Sequence, residues 1–286
     1  SEAAARSEST LTVIQGLLLG IVQGLTEFLP VSSSGHLVVA QALMAIEPSM
    51  TVALGVHAGT ALSVLVLYGR EIWGIIAGFF RGIGRRDGSA KMAICLVLTS
   101  IPAAVVGFAA SDSIEHAFSS PLFAGIGFLI SGAVLWYADR ISTRAASARP
   151  EADIDEARIG YKHAVAVGVA QACAVFPGVS RSGLTISSAL ALKFDRSFAA
   201  SYSFIASLPV ILGAVILWPL SNPGALSGID LGVLALATGA SFVAGLAAMV
   251  VLRRIVLQGR LRYFSYYLWT IGAITMLWQA RGLLGL

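Results

Sequence analysis

Long uncharged apolar runs alternate along this chain with short clusters of ionisable residues. Six of the runs, at 52–69, 92–111, 117–138, 197–229, 231–252 and 263–280, have about the ~20 residues that a helix needs to cross a bilayer. They predict six transmembrane helices. Two further apolar stretches, 11–46 and 163–192, are broken by Pro30 and Pro177. The second is too short for two full crossings at ~20 residues each, so it must enter the membrane and return. The composition of the 286 residues agrees, with 57% hydrophobic and 12% charged residues and a mean hydropathy of +0.83. A water-soluble globular protein is excluded, because one core could not bury so much apolar surface.

The basic residues set the threading. Sixteen of the 19 Lys and Arg fall at 70–91, 140–162, 193–196 and 253–262. Cytoplasmic loops retain Lys and Arg, so these four segments are read as cytoplasmic. The hairpin tip at 112–120 is then external, and it carries Asp112 and Glu115 but no Lys or Arg. Parity makes 163–192 a re-entrant hairpin from one face and 11–46 a second from the other, with both termini on the outside. The net charge of +4 is explained by topology and calls for no nucleic acid. Cys95 and Cys173 both lie in apolar stretches and neither stands in a CxxC spacing, which gives little support to a disulfide framework or a thiolate metal site.

An internal repeat supports the same parity. The stretch Gln23-Gly-Leu-Thr-Glu-Phe-Leu-Pro-Val-Ser-Ser-Ser-Gly35 matches Gln171-Ala-Cys-Ala-Val-Phe-Pro-Gly-Val-Ser-Arg-Ser-Gly183 at Gln, Phe, Val, two Ser and Gly, at a constant offset of 148. The expected architecture is an all-α polytopic membrane protein, a single domain over 1–286. Six transmembrane helices and two re-entrant helical hairpins form two inverted-topology repeats, about 10–139 and 160–282. In such folds the binding site lies near the midplane between broken helices.

Inside the ends of the apolar segments only Glu27, His36, His57 and Arg181 are ionisable, and such residues usually mark a functional site. Their counterparts in the repeat differ: Val175 stands opposite Glu27, Leu184 opposite His36 and Ser33 opposite Arg181. One half supplies acid and imidazole, the other a fixed cation. Ser32-Ser33-Ser34-Gly35 and Ser180-Arg181-Ser182-Gly183 each precede a short apolar stretch, 37–45 and 184–192, and read as loop followed by half-helix. Free N–H groups at a helix start, Ser hydroxyls and a guanidinium suit an anion such as phosphate. The plainer reading is that these serines only cap helices. The three-residue spacing from Ser33 to His36 puts both on one helix face and permits a Ser–His pair. His36 could donate or accept a proton, Ser33 could be nucleophile or phosphate ligand, and Glu27 an orienting carboxylate or a metal ligand. His57 could line the pocket or make a structural hydrogen bond.

The motif from Gln23 to His36, together with Phe176-Pro-Gly-Val-Ser-Arg-Ser-Gly-Leu-Thr185, resembles the paired signature of the undecaprenyl-diphosphate phosphatase, or bacitracin-resistance, family. The resemblance implies a multi-pass enzyme of the bacterial inner membrane that removes the terminal phosphate of undecaprenyl diphosphate. That reaction recycles the carrier lipid for cell-wall synthesis and gives bacitracin resistance by competition for the substrate. It implies Glu27, Ser33, His36 and Arg181 as catalytic residues, with Gln23, Ser32, Ser34, Gly35, Ser180, Ser182, Gly183 and Thr185 binding substrate. The cleft would open to the periplasm and membrane lipids, a divalent cation, Mg²⁺ or Ca²⁺, would sit on Glu27, and a homodimer is compatible with it. Many family members carry a second acid where this chain has Gln23. A transporter or flippase of a polyprenyl phosphate lipid is the rival reading, since broken helices in inverted repeats are common there. The grouping of Ser33, His36 and Glu27 favours an enzyme, because transport needs no nucleophile and base.

Overall fold

The computed structural model describes residues 11–82, 90–148, 154–224, 227 and 229–283. Among them are twelve helices and no named strand: α1 Val13–Phe28, α2 Ser33–Leu43, α3 Met50–Leu67, α4 Gly69–Gly82, α5 Lys91–Ala109, α6 Ser111–Phe118, α7 Pro121–Ala148, α8 Tyr161–Cys173, α9 Arg181–Ala191, α10 Arg196–Ser221, α11 Leu231–Leu257 and α12 Arg262–Leu283. Five helical segments are long and apolar enough to cross a membrane: Met50–Leu67, Lys91–Ala109, Pro121–Ile141, Arg196–Ser221 and Leu231–Leu257. Their surfaces are inverted relative to a soluble protein. Val66, Val105, Phe108 and Val243 point outward, whereas Thr60, Ser63, Thr99, Ser203 and Ser207 are buried. An apolar exterior over a core that also takes in these hydroxyls suits a hydrocarbon solvent.

The broken stretches become paired short helices. At 16 residues, α1 is about 24 Å long, short of the ~30 Å hydrocarbon core. It stops at Phe28 because the residue before Pro30, Leu29, is pushed to extended geometry, with ψ 140°. Ser32 then caps α2 by accepting from the Gly35 N–H, as Ser180 caps α9 by accepting from that of Gly183. Both half-helices run 11 residues. Both end in a Schellman turn: Ala45 and Lys193 take positive φ, 51° and 65°, and Ile46 N–H and Phe194 N–H reach back to the Gln41 and Ala189 carbonyls. These positions are again 148 apart.

Close packing uses small residues. A Cβ added at Gly20 on α1 would lie 2.2 Å from the Ala237 carbonyl oxygen, and one at Gly59 on α3 would lie 2.2 Å from that of Thr238. Both helices therefore approach α11 backbone to backbone. Packing partners correspond between the halves, with α1 on α11 and α8 on α5, while α7 pairs with α12. The core between them is aromatic around Phe28, fully buried and set edge-on to Phe204 at 5.4 Å.

Three expectations need correction. The basic segment at 70–91 is not simply a connecting loop: 69–82 forms α4, whose Ile72 and Ile75 lean on the core while Trp73, Ile76 and Phe80 face out. Its strong amphipathicity has a helical period that a search for uncharged runs overlooks. The tip at 112–120 likewise holds a short helix, α6. The span expected at 197–229 stops at Ser221, where Asn222 turns back onto the Trp218 carbonyl and Pro223 follows. Arg85, Arg86 and Arg149, counted among the cytoplasmic basic residues, lie outside the described residues, as do both chain ends. α12 has the length of a span but carries Arg262, Tyr263, Tyr266, Tyr267 and Gln279.

Candidate active site

Two half-helix starts meet where α1 ends. From α9, Ser182 Oγ donates to the Leu29 carbonyl at 3.0 Å, tying the second loop to the first. Ser131 on α7 holds that second loop from behind, donating to the Gly178 carbonyl at 3.1 Å and accepting from the Ser180 N–H at 2.8 Å. Gly178 is required there: its φ is +84°, and a Cβ would strike the Ala124 backbone.

Glu27 is the hub. It lies on the last turn of α1 with a side chain only 5% exposed, and every contact found for its two oxygens is with a donor or a cation-capable ring. Arg181 Nη2 donates to Oε1. Ser33 Oγ donates to Oε2 at 2.5 Å, and Gln23 Nε2, one turn back on α1, donates to the same oxygen at 2.8 Å. His57 Nε2 on α3 stands 3.6 Å from it. A buried carboxylate needs this degree of pairing, since an ion without partners in a low-dielectric interior is very costly. Arg181 also donates from Nη1 to the Ser203 carbonyl at 3.4 Å. A guanidinium has five N–H donors, so capacity remains for an anion such as phosphate.

The Ser33–His36 pair does not form. Side chains on a helix lean toward its N-terminus, so the His36 ring lies over Ser32 instead of beside Ser33. Its Nδ1 is 2.7 Å from the Ser32 carbonyl oxygen and its Nε2 is 2.7 Å from the Tyr267 hydroxyl. Ser33, turned the other way, takes Glu27. The histidine that faces the carboxylate is His57, whose Nδ1 meets the Ala53 carbonyl at 2.7 Å. Both roles open to His57 from the sequence are therefore present together.

A cavity of about 520 Å³ opens over this assembly, lined by Glu27, Ser32, Ser33, Ser34, His57, Ser180, Arg181 and Ser182 at its polar end and by Leu37, Leu54, Val210 and Ile211 along its apolar wall. Gln23, Gly35, Gly183 and Thr185 stand behind that lining. Gln23 braces Glu27, and the two glycines donate to the caps. Thr185 donates to the Arg181 carbonyl at 2.8 Å and pairs with Ser203 Oγ at 2.6 Å. Sequence reasoning missed Ser203, Ser131 and Tyr267. Ser131 and Ser203 are ordinary small residues within spans, and Tyr267 lies 231 positions from its partner, so none gives a local signal. The arrangement holds a hydroxyl on a carboxylate beside a guanidinium, with helix-start N–H groups around it and an apolar wall beyond.

A family model described as bacitracin resistance protein BacA matches residues 16–274. A protein named undecaprenyl-diphosphatase from Korarchaeum cryptofilum (strain OPF8) is 38% identical over 269 residues, covering 92% of this chain and 97% of that protein. One of the same name from Carboxydothermus hydrogenoformans is 36% identical over 272 residues, covering 94% and 98%. Another, from Methanosphaera stadtmanae, is 33% identical over 282 residues, covering 93% and 98%.

Proposed function

This chain belongs to the bacitracin resistance protein BacA family, and on that premise we propose that it is an undecaprenyl-diphosphatase, a membrane hydrolase that cleaves undecaprenyl diphosphate to undecaprenyl phosphate and inorganic phosphate. The observation that carries this reading is the Ser33–Glu27–Arg181 assembly, in which one half of the chain supplies a hydroxyl already bonded to a carboxylate and the other a guanidinium on the same carboxylate. Transport alone would have no use for a hydroxyl held this way. The apolar wall of the cavity suits the first prenyl units of the substrate.

Ser33 is the nucleophile in this mechanism. Its Oγ bonds to the terminal phosphorus as the bridging P–O bond breaks, and the electron pair departs on undecaprenyl phosphate. The Ser33 proton passes to Glu27 Oε2, already 2.5 Å away. Arg181, with N–H groups at the starts of α2 and α9, carries the charge on the phosphoryl oxygens. Water then hydrolyses the phosphoserine, and Glu27 returns the proton to Ser33.

The divalent cation implied by the resemblance meets an unsuitable donor set. Glu27 is one carboxylate whose oxygens already accept from Arg181, Ser33 and Gln23. Among the described residues no group of three or more His, Cys, Asp or Glu could hold an ion. Mg²⁺ usually binds one or two carboxylates plus substrate phosphates, so a cation here would arrive on the diphosphate.

In the membrane we place six spans, α12 being the sixth. The α1–α2 and α8–α9 hairpins enter from opposite faces as inverted repeats, with both termini and the cleft on the periplasmic side of a bacterial inner membrane. The matching caps and Schellman turns 148 residues apart support this arrangement. Phosphate release by the purified protein tests the function. Undecaprenyl diphosphate should be turned over by the wild type and by no Ser33→Ala variant above about 10⁻³ of its rate. Chelator should slow turnover through the substrate's counter-ion without abolishing Arg181-dependent binding. Absence of phosphate release from the wild type would overturn the reading.

A further inference from the structure

His36, which the sequence offers as a proton donor or acceptor, is not on the wall of the cavity. Its ring stacks on Tyr267 of α12, with centroids 5.7 Å apart and planes 4° from parallel, and leans on Phe128 at 4.9 Å. A carbonyl oxygen can only accept, so His36 Nδ1 carries the proton shared with Ser32. In the neutral ring Nε2 is then the acceptor, and the Tyr267 hydroxyl donates to it. The only basic atom of the imidazole is thus committed to a phenol, away from Ser33.

What this chain of bonds holds is unusual. Ser32 has φ 68° and ψ 97°, a left-handed conformation that a non-glycine residue adopts only when its surroundings impose it. Its carbonyl accepts from both the backbone N–H and the Nδ1 of His36, and its hydroxyl accepts from Gly35. The next residue is Ser33, whose direction toward Glu27 follows from that turn. The second copy of the motif is an internal control. Ser180 caps α9 with φ −77°, an ordinary value, and the position matching His36 holds Leu184. An imidazole stands only over the turn that is left-handed and that delivers the nucleophile.

We propose that His36 and Tyr267 are positioning residues: Tyr267 fixes the His36 ring, His36 clamps the Ser32 carbonyl, and the clamped turn aims Ser33 at Glu27. This rests on the diphosphatase reading and on Ser33 as nucleophile. His36 transfers no proton, and α12 acts on the reaction through Tyr267.

The test uses the full-length protein in proteoliposomes with undecaprenyl diphosphate, comparing His36→Asn, His36→Ala, Tyr267→Phe and the double variant Tyr267→Phe/His36→Asn. The Asn amide can replace Nδ1 as donor to Ser32 but offers no base. His36→Asn should keep at least about a tenth of wild-type kcat and the shape of its pH profile, whereas His36→Ala, which leaves Ser33 misaimed, should lose about a hundredfold. Tyr267→Phe should lower kcat about three- to tenfold with KM unchanged, the effect of one hydrogen bond. The double variant should be no slower than His36→Asn, because Tyr267 acts only through the imidazole. A His36→Asn protein as inactive as Ser33→Ala, or one that loses a limb of the pH profile, would make His36 a proton-transfer residue and overturn the proposal. Wild-type kcat in Tyr267→Phe would do so as well, and that conservative change on a half-exposed side chain keeps the test free of folding failure. Were the diphosphatase reading itself wrong, the wild type would release no phosphate, an outcome separate from all of these.

Discussion

At the scale of single residues, Arg181 links binding to chemistry in the proposed mechanism. Its Nη2 holds Glu27 while Nη1 reaches the Ser203 carbonyl, so its plane is fixed by two acceptors on different elements. Lysine keeps the charge but has no fork to satisfy both and still meet phosphate. Arg181→Lys should therefore reduce kcat/KM by about 10²–10³, measured as phosphate release, while the protein still purifies folded. Glu27, Ser33 and Arg181 could be read from the sequence because ionisable and hydroxyl side chains stand out in apolar runs. Their mutual contacts could not. Spacing places Ser33 and His36 on one face, yet the left-handed turn at Ser32 decides which of them meets Glu27, and no periodicity encodes a single positive φ.

Elements were more legible than contacts. Pro30, Pro177 and the Ser-Gly caps predict two half-helices, and α2 and α9 begin a few residues earlier than the apolar stretches suggest because the serines and Arg181 belong to their first turns. What the runs could not reveal is how closely helices approach. α11 is gripped from two sides by glycines of α1 and α3. Gly20→Ala and Gly59→Ala should each destabilise the protein by about 1–3 kcal/mol, since the added carbon meets backbone that cannot swing aside. Gly213→Ala on α10, with nothing within 4 Å of its added Cβ, should be neutral or stabilising by up to about 1 kcal/mol. Thermal unfolding in one detergent orders the three. Similar melting shifts at all three sites would show that the close approach to α11 does not limit stability.

For the molecule as a whole, the threading proposed from charge counting would make opposite faces chemically distinguishable. In a background lacking Cys173, cysteines at Ser113 on α6 and Ser221 at the end of α10 should react with an impermeant thiol reagent added to whole cells. One at Gln258, in the turn between α11 and α12, should react only after lysis. The reverse pattern would invert the entire assignment and put the cleft on the cytoplasmic face.

The contacts from Ser182 to Leu29 and from Arg181 to Glu27 cross between the first and second halves of the sequence, and so do the α1–α11, α5–α8 and α7–α12 packings. Neither half can be a small enzyme waiting for its mate; each is an incomplete tool, one holding the hydroxyl and carboxylate, the other the guanidinium. Split after Ala148 and made as two separate polypeptides, the protein should behave as an obligate heterodimer. Each piece alone should be inert, and co-expression of both in one membrane should restore turnover, with Ser33→Ala in one piece and Arg181→Lys in the other failing to rescue each other. A symmetric pair of identical halves would have carried two equivalent centres. Here divergence has left one centre per chain, asymmetric in its chemistry, so stoichiometric titration should count a single reactive serine for every complete protein.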